Sequence, residues 1–103
     1  MISNPAKVAL VTGAGRGIGR ALAVGLANAA YDVVVADLPS EAAGVAETAR
    51  QVERIGRKTY PRSMDVASKA SVDACVQSIL EEMGRIDVLV NNAAQTKTNP
   101  SLP

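Results

Sequence analysis

Histidine is absent from these 103 residues, and cysteine occurs once, as Cys75. The first absence removes the commonest ligands of zinc and similar metals, so no metal site is expected; the second rules out a disulfide between residues of this sequence. Charge of one sign is lacking too. Eleven basic residues against ten acidic ones leave a net charge of +1 with no block of like charges, so nothing directs the chain to nucleic acid or to an anionic membrane surface. No apolar run approaches the roughly 20 residues of a membrane helix. The opening MISNPAK has neither the charged start nor the long apolar segment of a secretion signal, and a cytoplasmic setting is the expectation. What is there, 48% hydrophobic and 20% charged residues, is the make-up of one globular domain near the lower end of domain length.

The apolar residues alternate between two periods. KVALV (7–11) is nearly all apolar, as expected for a strand covered on both faces. From about Ile18 to Ala30 the pattern is helical, with Ile18, Leu22 and Leu26 four apart on one side and alanines elsewhere that allow close packing on a sheet. DVVVAD (32–37) is a second β-branched run. Pro39 and Ser40 then open a helix with Glu41 in its first turn, and Gly56 is placed to end it. A third strand is expected within Lys58–Val66, where Pro61 costs one ladder hydrogen bond and favours an edge position. Ser68 is an expected N-cap for a helix whose buried stripe is Val72, Cys75, Val76, Ile79, Leu80 and Met83, with Gly84 as its end. IDVLV (86–90) is a fourth strand, and the tail QTKTNPSLP is polar without a readable period.

Strands and helices in strict alternation, joined by connections too long for hairpins, imply an α/β doubly wound parallel sheet. Ligands of such sheets settle outside the carboxyl ends of the strands. Those four exits carry the glycine stretch, Asp37, Asp65 with Val66, and Asn91 with Asn92.

VTGAGRGIGR (11–20) places four glycines where a strand becomes a helix. Unpaired backbone N–H groups at a helix N-terminus hold a phosphate well when no side chain blocks its approach, and the helix dipole adds favourable potential. Glycine also permits a tight turn with positive φ and close packing of helix on strand. The plainer reading is punctuation between two elements. Asp37 stands at about the spacing where dinucleotide folds carry an acid for the ribose. A Walker-type site lacks its Gly-Lys-Ser/Thr.

Thr12-Gly13-Ala14-Gly15-Arg16-Gly17-Ile18-Gly19 resembles the T-G-x-x-x-G-x-G signature of the short-chain dehydrogenases/reductases. Asp65-Val66 resembles that family's acidic-apolar pair after the third strand, and Asn91-Asn92-Ala93-Ala94 its N-N-A-G motif after the fourth, with Ala94 where the family has glycine. These features run in family order from about Lys7 to Ala94. The resemblance implies a Rossmann-type sheet, N-terminal half only, with strand order 3-2-1-4. Residues 1–94 would be a partial NAD(P)-binding domain, and 95–103 a polar tail leading into the remainder. It implies an oxidoreductase that passes hydride between NAD(P) and a small-molecule alcohol or carbonyl substrate, 3-oxoacyl compounds among them, and a homo-oligomer when complete.

Carried over by residue, Gly13, Arg16, Gly17, Ile18 and Gly19 would surround the pyrophosphate and the nicotinamide side of the cofactor. Asp37 would accept from the adenosine ribose hydroxyls, Asp65 and Val66 would meet the adenine, and Asn92 with Ala93 would sit by the ribose. Each also has a local alternative, since Asp and Asn cap turns and helices and satisfy buried backbone groups. A carboxylate at Asp37 repels a 2′-phosphate and favours NAD over NADP, although Arg16, just before the second motif glycine, pulls the other way.

The family's proton donor is the tyrosine of a Tyr-x-x-x-Lys pair, assisted by a serine, all located after the fourth strand. This sequence has only Tyr31 and Tyr60, followed four positions on by Val35 and Met64, and both are expected to pack at sheet margins. The expectation is therefore the N-terminal part of a dehydrogenase, with no catalytic residue of its own and incompetent for turnover alone. The alternative is a stand-alone nucleotide-binding or interaction module.

Overall fold

Residues 6–92 are described by a computed structural model of the chain. Four strands, β1 (Val8–Thr12), β2 (Asp32–Asp37), β3 (Thr59–Ser63) and β4 (Val88–Asn91), alternate with three helices, α1 (Gly17–Asn28), α2 (Ala42–Ile55) and α3 (Lys69–Met83). All strand pairs are parallel and the sheet order is β3-β2-β1-β4, as the sequence implied. β1 is buried at every position and β2 at all but Asp37, which is why both read as unbroken apolar runs. β3 and β4 lie at the edges and are half exposed.

Two apolar layers sandwich the sheet. On one face Val11, Val33 and Val35 meet Ala23 and Ala27 of α1 and Val45 and Val52 of α2. On the other, Val8, Leu10 and Val34 meet Cys75, Ile79 and Met83 of α3. Burial pushes the Cys75 thiol up, as for a core residue. Tyr31 packs at the margin of the first layer and Tyr60 at the margin of the second.

Local signals set most boundaries. Gly56 and Gly84 cap α2 and α3 in the left-handed conformation, and the Ser68 hydroxyl accepts from the Ser71 N–H at 3.1 Å. Pro39–Glu41 forms a single 3-10 turn before α2 rather than its first α-helical turn.

Three expectations need correcting. In α1 the buried stripe is Gly19, Ala23 and Ala27, whereas Ile18 is 71% exposed and Leu22 also reaches solvent. Both rows have four-residue spacing, so period alone does not choose between them. The valines of β1 and β2 fill the interlayer, and only small residues let α1 seat on them. Leu80 of α3 is exposed for the related reason that Cys75, Ile79 and Met83 already cover the sheet.

Pro61 costs no ladder bond. Met64 N–H donates to Asp37 and Lys58 accepts from Val33 N–H, so the N–H groups of residues 60, 62 and 64 face β2. Position 61 therefore directs its missing donor to the open edge, where proline discourages strand addition.

Asp87 ties the start of β4 to β1. Its Oδ2 accepts from the Val8 N–H at 2.9 Å and from Arg85 Nε at 2.7 Å, and these bonds hold its pKa down from 3.8 to about 2, the Arg85 bond contributing most. A depressed carboxylate pKa contributes stability that is present above 3.8 and is lost as pH falls toward about 2. Acid unfolding followed by circular dichroism should show a loss across that window that Asp87→Asn reduces. An unchanged acid limb in the variant would refute the assignment.

Candidate functional site

β1 leads directly into the glycine turn, whose Ala14 N–H extends the pairing onto Ala36 of β2 at 3.0 Å. Gly13 and Gly17 have φ of 63° and 59°, a region that costs other residues about 1–2 kcal/mol. Gly19, in the first turn of α1, is pressed against the turn it follows. A Cβ there would overlap the Gly13 carbonyl oxygen and stand 2.7 Å from Asn92 Nδ2. Gly17 faces open space, with nothing within 4 Å of the same added atom. Arg16 is the N-cap of α1 and gives no side-chain cap, and the first turn holds no acidic residue. The leading amides of α1 thus lack an intrahelical acceptor, and the positive end of its dipole is not neutralised from within the helix.

Asp37 closes the second side of this crevice. Its Oδ2 accepts from the Gly15 N–H at 2.9 Å and its Oδ1 from the Leu38 N–H at 2.8 Å. A carboxylate has about four acceptor positions, so both oxygens keep capacity for a further donor. A side chain at Gly15 would press on this carboxylate, its Cβ 3.0 Å from Oδ2. Arg16, 77% exposed, pairs loosely with Glu41 at 3.9 Å across the mouth.

The third side is the exit of β4. The Thr12 hydroxyl donates to Asn91 Oδ1 at 3.1 Å and accepts from the Asn92 N–H at 3.0 Å, and Asn92 Nδ2 donates to the Gly13 carbonyl at 3.3 Å. The asparagines therefore lock β4 to β1 and hold the start of the turn.

Behind the turn lies a network that the sequence reading missed. Thr48 of α2, fully buried, donates to the Ala14 carbonyl at 2.7 Å. Arg20 of α1 donates from Nε to Thr48 Oγ1 at 2.9 Å and from Nη2 to the carbonyls of Gly15 at 2.7 Å and Gly44 at 3.2 Å. Gly44 touches the turn directly, since a Cβ there would overlap the Gly15 carbonyl oxygen. A glycine near the start of an otherwise alanine-rich helix, at a cost of roughly 1 kcal/mol, was the available signal of that close approach.

Of the residues singled out by sequence, Gly13, Gly19, Asp37 and Asn92 meet around the turn, with Gly15 between them. Arg16, Gly17 and Ile18 form its exposed rim. Asp65 and Val66 follow β3 at the same end of the sheet, but among the described residues no hydrogen bond joins them to the turn. Asp65 Oδ1 accepts from the Ala67 N–H at 2.9 Å, a local turn-capping role, and Val66 packs on the α3 layer. Ala93 and Ala94 lie outside the described residues. No group of three metal-ligating side chains occurs among the described residues, and none of their helices is long and apolar enough to cross a membrane.

The chain is 41% identical over 96 residues to L-2,3-butanediol dehydrogenase of Corynebacterium glutamicum, covering 93% of this chain and 37% of that protein. Over 88 residues it is 44% identical to sorbitol dehydrogenase of Cereibacter sphaeroides, covering 85% of this chain and 32% of that one. It thus spans about a third of the length of these relatives. The crystal structure of a hydroxysteroid dehydrogenase from Escherichia coli superposes with a TM-score of 0.80 at 28% identity, over 91% of this chain and 41% of that one. The sequence model described as short chain dehydrogenase matches residues 7–102, from the strand that feeds the glycine turn to beyond the Asn pair. Parallel sheet, bare turn and sequence all agree, and the chain belongs to the short chain dehydrogenase family.

Proposed function

We propose that the crevice between the exits of β1, β2 and β4 holds the adenosine and diphosphate parts of a nicotinamide dinucleotide, and that the whole protein is an oxidoreductase acting on an alcohol or carbonyl substrate. One observation carries this reading. A glycine-rich turn presents helix N-terminal amides beside a carboxylate that is hydrogen-bonded into the same turn. The residues fit such a cofactor, because glycine at 15, 19 and 44 lets the turn close against Asp37, α1 and α2, and Gly17 leaves its outer side open.

In this reading Gly13, Gly17 and Gly19 shape the diphosphate cradle, with Arg16 and Ile18 on its rim. Asp37 takes the ribose hydroxyls on its free lone pairs. Asn92 borders the second ribose, and Asp65 with Val66 bounds the adenine. The bound nicotinamide supplies or accepts the hydride. Tyr31 precedes β2 at the opposite end of the sheet and Tyr60 packs against the α3 layer, so the proton donor is assigned outside residues 6–92.

NAD is the preferred cofactor. A 2′-phosphate beside Asp37 would meet repulsion on the order of a few kcal/mol at partly shielded contact distance. Arg16 is poorly placed to offset it, being exposed and already beside Glu41. Calorimetry should rank NAD above NADP by at least about tenfold, and Asp37→Ala should narrow the gap. Equal affinities in the unaltered protein would remove the preference, and binding of neither dinucleotide would remove the assignment.

A further inference from the structure

The back of the glycine turn is held by side chains that touch none of the proposed ligand contacts. Thr48 and Arg20 together fix two successive carbonyls, those of Ala14 and Gly15. A trans peptide points its C=O and N–H in opposite directions, and no peptide bond described here is cis. Holding the Ala14 carbonyl from the α2 side therefore sends the Gly15 N–H the other way, where it meets Asp37 Oδ2 at 2.9 Å. Holding the Gly15 carbonyl does the same to the Arg16 N–H, the last amide before α1.

Packing alone does not account for these residues. Valine would fill the space of Thr48 but would leave the Ala14 carbonyl and Arg20 Nε without the hydroxyl they share. The hydroxyl reaches the Ala14 carbonyl at 2.7 Å and the Gly44 carbonyl at 3.1 Å and accepts from the Arg20 guanidinium, and Arg20 joins α1, the turn and α2 through three acceptors.

We infer that Arg20 and Thr48 are positioning residues for the dinucleotide: Thr48 orients Arg20, and Arg20 holds the carbonyl of peptide unit 15–16 so that the Arg16 N–H faces the diphosphate. This rests on the dinucleotide reading above. Neither residue contacts the ligand.

The test compares ADP-ribose, which needs the diphosphate cradle, with adenosine, which does not, in the full chain and well below each variant's melting temperature. Thr48→Val and Arg20→Met should each weaken ADP-ribose about tenfold while changing adenosine by less than about twofold, the scale of one lost charge-assisted hydrogen bond. Thr48→Ser, which restores the hydroxyl, should bind as the unaltered protein does. Unchanged ADP-ribose affinity in both variants, or equal losses for the two ligands, would overturn the inference. Should the unaltered protein fail to bind ADP-ribose, the dinucleotide reading fails on its own account. Amide hydrogen exchange then judges the clamp without ligand: Gly15 protection should fall about tenfold in Thr48→Val, and unchanged protection would overturn it.

Discussion

Gly19→Ala is expected to abolish dinucleotide binding and to lower stability by about 3 kcal/mol, the upper end of the usual cost of overpacking. The new methyl group would overlap the Gly13 carbonyl oxygen and stand 2.7 Å from Asn92 Nδ2, so its neighbours are backbone and a tethered side chain rather than a flexible tip. Relief would require α1 to lift from the turn, and that displaces the amides proposed to bind diphosphate. The same substitution at Gly25, in the same helix, should have the opposite sign. Gly25 is exposed with nothing within 4 Å of an added Cβ, so Gly25→Ala should stabilise the fold by roughly 0.5–1 kcal/mol through helix propensity. Urea denaturation of both variants, with NAD titrations alongside, checks the pair. A Gly19→Ala protein that binds NAD normally would refute the proposed fit of helix to turn.

Arg57→Ala is expected to cost about 3 kcal/mol, the lower end of the range for breaking a buried ion pair from one side. Asp32 is only 2% exposed, and its Oδ1 accepts from Arg57 Nε at 3.1 Å and Nη2 at 2.9 Å and from the Lys58 N–H at 3.1 Å. Removing the guanidinium takes the charged partner from a carboxylate buried at the start of β2, where the pair joins β2 to the approach of β3. Replacing both partners, as Asp32→Val with Arg57→Leu, should recover most of the loss, because the desolvation penalty disappears with the charge. Urea denaturation supplies the numbers, and an Arg57→Ala variant as stable as the parent would refute the account. NAD affinity should hold in any variant that remains folded, since this pair lies at the end of the sheet opposite the crevice.

Legibility of the fold in the sequence followed how local each cause was. β1 and β2 were readable because strands covered on both faces are apolar throughout, and the ends of α2 and α3 because glycine just past the last turn and serine just before the first have local reasons to be there. Asp37 and the Asn pair were readable as groups at strand exits. The seating of α1 was not, since two rows of the helix share one spacing and only the fit against Val11, Val33 and Val35 selects Gly19, Ala23 and Ala27. The direction of the Pro61 vacancy was equally hidden, because it depends on which neighbour each N–H of β3 faces.

The grip on the turn was the least visible. Arg20 passes for a solvent cation on a helix, and Thr48 for an ordinary mid-helix polar residue. They lie 28 residues apart and meet only because α1 and α2 pack side by side on one face of the sheet.

By itself the sequence determined the alternation of strands and helices, the bare bend that opens α1 and the acid at the tip of β2, because each is encoded within a few neighbouring residues. Only the tertiary structure decided which face of α1 is buried and that a threonine and an arginine from two helices orient the bend. Those outcomes depend on close packing and peptide direction between segments remote in the chain, where a shift of one residue in helix seating changes every partner.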